Sequence, residues 1–147
     1  MSKQTTFLDK AQHKNIRIGI WASIVSAIML IGIGVFWVVH PNATEGSFSI
    51  VPDSETAISF AKIIAIFKAV GDIIPPVFIL IAIGFKQFRL AGYFHIITLF
   101  LIILVDMIVW GSFVPNASAK DVLMHVPFAI PMLIAAYFFL KPISKTN

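Results

Sequence analysis

From Leu90 to Trp110 the chain carries one carboxylate, Asp106, in an otherwise nearly unbroken apolar run. Three more runs of this kind lie from Ile16 to Val39, from Ala57 to Phe85 and from Val122 to Leu140. A membrane-crossing helix needs about 20 mostly apolar residues, so each run is long enough to cross, or nearly so. Strands of a membrane barrel are about 9–11 residues long and alternate in polarity, a pattern absent here. An open sheet edge has no hydrogen-bond partners in hydrocarbon. The expected fold is therefore all-α: an integral membrane four-helix bundle forming one domain over residues 1–147. The first run exceeds the 7–15 residues of a signal-peptide core and reads as a retained anchor.

Composition agrees. Apolar residues make up 59% of the chain and charged residues 12%, against about 45–50% and about 25% in soluble domains. The net charge of +4 does not point to nucleic acid, because the basic residues fall between the apolar runs and not along one face. The chain has no cysteine, which excludes disulfides, thiol catalysis and c-type haem attachment. His13 and His40 lie outside the spans or at their edge, and His95 and His125 fall at different depths. With no histidine pair at one level for haem, and only an Asp106–His125 pair for a metal, no cofactor or metal is expected.

The basic residues also give a direction. Lys3, Lys10, Lys14 and Arg17 precede the first span, Lys86 and Arg89 sit between the second and third, and Lys141 and Lys145 follow the fourth. The loop after the first span has Glu45, Asp53 and Glu55 without a basic residue, and the loop after the third has Lys120 and Asp121. Cytoplasmic N and C termini put eight basic residues inside and one outside, with Lys62 and Lys68 in the second span. This is a strong positive-inside bias, and the cytoplasmic membrane of a bacterium is the expected location. Trp37, Trp110 and Tyr137 are placed at the interfaces, where amphipathic rings settle. Ser118 and Asp121 read as a capping box before the fourth span.

The second span breaks the apolar pattern at IFKAVGDIIPP, residues 66–76. A charge at the centre of a membrane helix costs about 2.5–3.5 kcal/mol to insert. Lys68 and Asp72 are four residues apart, on one side of the helix, so they can neutralise each other or together form a binding site. Pro75 and Pro76 have no N–H for the carbonyls of Gly71 and Asp72, and those groups need another partner. At 1.5 Å per residue, Lys62 is about 7–8 Å and Lys68 about 16 Å into the span, and Asp106 is about 6 Å from the outer end of the third. His125 is at a similar depth in the fourth, where Pro127 and Pro131 free two further carbonyls. Lys62, Lys68, Asp72, Asp106 and His125 are thus candidates for one polar cluster in the outer half of the bundle. Lys62 also fits a side chain that snorkels to the headgroups. In the first span Gly19, Ser23 and Ala27 recur every four residues, with Ser26 and Gly34 on a second line; such stripes permit close helix contact, inside the protein or with another subunit.

In order along the chain, Gly71-Asp72, the segment Arg89 to Gly92, Asp106 within LVDMIVW and His125 within LMHVPF resemble a family of small four-span membrane proteins catalogued as domain of unknown function 4267. The likeness covers spans two to four. The family pattern has arginine where this chain has Gly71, and Lys68, one turn earlier, is the nearest cation. The family has no assigned activity; the resemblance implies that Asp72, Asp106 and His125 belong together.

The expected function is binding or transport of a small ligand or proton through this polar cluster, with anionic or amphipathic molecules the best-suited ligands. The alternative is a structural or accessory subunit of a larger membrane complex, or a homo-oligomer, whose charges only pair. No nucleophile or cofactor motif points to an enzyme.

Overall fold

The computed structural model of the chain describes residues 2–40, 53–112, 123 and 125–141, leaving aside the side chains of 2–11, 106 and 109–112. It has four helices: α1 (Ser2–Val39), α2 (Glu55–Gly84), α3 (Phe88–Ser112) and α4 (Val126–Leu140). Three of them are long and apolar enough to cross a membrane, and α4 is a shorter apolar helix. The protein is an all-α, multi-pass membrane protein.

The helix ends follow from local chemistry. Ser54 is extended, and its hydroxyl accepts the Ala57 N–H at 3.2 Å, satisfying one of the free donors that open α2. At the other end the Lys86 N–H donates to Ile83 O and the Gln87 N–H to Ala82 O. Lys86 has a φ of 57°. This is a Schellman closure with lysine in the left-handed position that usually takes glycine. The Ala91 N–H then returns to Gln87 O at 3.0 Å, so α3 starts at once and lies antiparallel to α2.

The fourth helix starts later than Val122. His125 caps it, with its carbonyl accepting from the N–H groups of Phe128 and Ala129, both at 3.1 Å. Pro127 lies in the first turn, where no N–H is required. The capping box at Ser118 and Asp121, and Trp110 at the end of the third span, lie outside the residues whose side chains are described.

Around the bundle, α1 packs against α2 and α4, and α3 closes the ring against the same two helices. Small side chains line the seams. Ala27, Ala65, Ala69, Ala82, Ala91, Ala135 and Ala136 are buried, while Phe67 is 70% exposed and Ile28 67%. In water such a surface would be a large aggregation patch. In lipid, where leucine gains nothing by leaving hydrocarbon, close backbone packing holds helices together. The stripe on α1 is internal. A Cβ on Gly19 would stand 2.5 Å from the Phe139 ring, and one on Gly34 would stand 2.5 Å from Ile73 and 2.9 Å from the Ala69 carbonyl. Trp37 departs from expectation: it is buried at 7% exposure against Ala65 and Ala69, not turned to the headgroups.

Candidate functional site

The Gly34 contact sets the register of α1 and α2. With Gly34 level with Ala69–Ile73 and the helices antiparallel, α2 extends roughly ten residues, ~15 Å, past the end of α1. Lys62 falls on this extension and is exposed. It stands about 120° around the helix from Lys68 and about 80° from Asp72, with no α1 residue beside it.

Lys68 stands level with the last turn of α1, and Asp72 is one turn deeper. The Lys68 ammonium donates to both Asp72 carboxylate oxygens, at 3.1 and 3.4 Å. It also lies 5.9 Å from the centre of the Trp37 ring, within range of a cation–π attraction. Exposure is unequal: the Lys68 side chain keeps 34% of its surface and Asp72 only 13%. The anion is withdrawn between helices and the cation is reachable. Among the described ion pairs this one is closed within a single helix, as spacing alone predicts.

His125 comes to the same neighbourhood from α4, because that helix begins part-way along the bundle. Gly92 meets Leu140 and Gly19 meets Phe139 at one end, and fifteen residues of α4 rise ~22 Å from there, which brings its first turn to the level of Asp72. His125 and Asp72 are close enough for their charges to interact. Asp106 is helical on α3, and its side chain lies outside the described residues. The prolines leave α2 unbroken from Glu55 to Gly84, with Pro76 buried in the bundle.

A second polar feature was not anticipated as a site. His95 of α3 is fully buried, and its Nε2 lies 2.8 Å from the Ser23 hydroxyl of α1. Ser23 spends its proton on the Gly19 carbonyl, also at 2.8 Å, a back-bond typical of serine in membrane helices. The imidazole is therefore the donor, with its proton on Nε2, and Nδ1 is an acceptor. That Nδ1 is buried without a hydrogen-bond partner among the described residues. Ser26, whose hydroxyl donates to the Ser23 carbonyl at 2.9 Å, and Thr98 are buried nearby in sequence. The available signal was His95 and Thr98, one turn apart, as rare polar residues in an apolar run. The stripe containing Ser23 suggested close packing and gave no hint of a bond across the ring.

Among the described residues no three histidine or acidic side chains gather as a metal site. Comparison with known proteins brings no match: no family model, no curated protein and no solved structure is similar to this chain.

Proposed function

We propose that this membrane protein binds or transports a small anionic or amphipathic ligand at the end of the bundle where Lys68 and Asp72 meet Trp37. One observation carries the reading: a reachable ammonium is held by a carboxylate that is itself almost hidden. An incoming anion contacts Lys68 from its open side and lays its apolar part against exposed Phe67 and Ile64. Asp72 then loses part of its counter-charge. A buried carboxylate without a partner is costly, so binding draws a proton or a second positive group to Asp72, and His125, on another helix, is a titratable group whose charge acts on it. Ligand and proton are thereby coupled. Asp106 joins this set on the strength of its register on α3. With cytoplasmic termini, as the charge bias predicts, the site faces outward.

Benzoate, an apolar ring bearing one negative charge, is a suitable probe. Added to the purified protein in neutral detergent, it should raise the thermal midpoint of helix loss, as any ligand of the folded state does. The rise should vanish in Lys68→Met and persist in Lys62→Met. An equal response in all three proteins would refute the site.

The self-contained geometry of the pair favours a second reading, an accessory subunit whose charges only pair. Replacing a buried pair by apolar residues is often neutral. If Lys68→Met with Asp72→Leu retains both expression and midpoint, and a second membrane protein co-purifies in fixed proportion, the accessory role is the better account.

A further inference from the structure

The opposite end of the bundle carries a feature that the reading above does not use. Between α3 and α4 runs a shallow groove of about 570 Å³, lined by Ile96, Leu133, Ala136, Tyr137, Leu140 and Lys141. Ala136 is buried and forms the floor, while Ile96, Leu133 and Tyr137 are exposed along its sides. Its depth arises where a small residue lies between large ones. Because the surrounding surface is apolar, α3 is long and apolar enough to cross a membrane and α4 is a shorter apolar helix, lipid is the medium that meets it.

The groove ends in positive charge. Lys141 closes α4, and its ammonium rests 5.5 Å from the centre of the Tyr137 ring, which holds it beside the opening. Arg89 is exposed and seven residues before Ile96, two turns along the same face of α3. The contact between Gly92 and Leu140 puts Arg89 and Lys141 at the same end, one from each wall. Of the acidic residues whose side chains are described, Asp53, Glu55 and Asp72 all lie toward the other end. An apolar trough with two cations at its mouth matches one occupant in shape and charge: a lipid with an acyl chain and an anionic phosphodiester.

We propose that the α3–α4 groove is a binding site for an anionic phospholipid, with one acyl chain along Ile96 and Leu133 over Ala136 and the headgroup phosphate between Arg89 and Lys141. Basic pockets between membrane helices recognise anionic headgroups in this manner. Each cation near a membrane surface contributes about 1 kcal/mol toward an anionic lipid, roughly five-fold in affinity.

Electron spin resonance tests the site on the full chain in phosphatidylcholine nanodiscs containing trace spin-labelled lipid. Labelled phosphatidylglycerol should be immobilised several-fold more than labelled phosphatidylcholine. Arg89→Gln with Lys141→Gln should abolish that preference. Leu133→Trp, which fills the trough from an exposed position and leaves the charges in place, should lower the immobilised phosphatidylglycerol. Glycerol phosphate at millimolar concentration should not compete, since it has no chain for the groove. Equal immobilisation of the two lipids by the wild type, a preference that survives the double substitution, or full competition by glycerol phosphate would each overturn the proposal. Circular dichroism on every variant confirms that the helices remain, and Lys62→Gln, a charge lost at the far end, should leave the lipid preference unchanged.

Discussion

A neutral imidazole can join two helices that share little other contact. His95 does so, reaching Ser23 from α3 to α1 across the middle of the ring. Hydrogen bonds between membrane helices contribute about 0.6 kcal/mol on average and up to about 1.7. Removing the ring also leaves a cavity, so His95→Ala should destabilise by about 2–4 kcal/mol, and Ser23→Ala by about 1. A double-mutant cycle in reversible bicelle unfolding should return a coupling of about 0.5–1.7 kcal/mol; a coupling near zero would mean that the ring merely fills space. Legibility at this scale depended on how far apart the partners lie in sequence. Lys68 and Asp72 are one helical turn apart, and their pairing could be read from spacing. Ser23 and His95 belong to different helices, and apolar sequence reports depth along a helix far better than which neighbours face each other across a bundle.

At the scale of the helix, glycine placement separates packing from tolerance. Gly34 meets the α2 backbone, whereas a Cβ on Gly32 would find nothing within 4 Å. Gly34→Ala must push against the Ala69 carbonyl, which cannot rotate away, and should cost about 1–3 kcal/mol as an overpacked contact. Gly32→Ala should be neutral or slightly stabilising, because alanine is the better helix former. Thermal midpoints of the two variants in one detergent check this, and equal midpoints would contradict the α1–α2 register. The stripe of small residues was legible in sequence, but its partner was not, since the same spacing serves internal and intersubunit contacts alike. Helix bodies were legible from apolar length and helix ends less so. The last helix is expected from Val122, whereas α4 begins at Val126 with Pro127 in its first turn.

Considered whole, the bundle keeps a lysine where glycine would fit more easily. A left-handed non-glycine residue costs about 1–2 kcal/mol, so Lys86→Gly should raise the thermal midpoint in a way that Gln87→Gly does not. Lys86 is also one of the eight basic residues that the charge bias assigns to the cytoplasm, and seven remain without it. Because the chain has no cysteine, Gln87→Cys and Ser144→Cys can each be labelled singly with an impermeant maleimide. Both should react from the same side, with or without the Lys86 substitution, and labelling from opposite sides would mean that α4 does not cross. The His95–Ser23 bond also bears on the ring as a whole. It fastens α1 to α3, while Pro75, Pro76, Pro127 and Pro131 are all carried by α2 and α4. The ring thus divides into one diagonal tied by a side-chain bond and another whose helices carry the prolines. A proline past the first turn removes one rung of its helix's own backbone ladder, so Asp72 within α2 and His125 at the head of α4 belong to the two helices whose ladders have gaps.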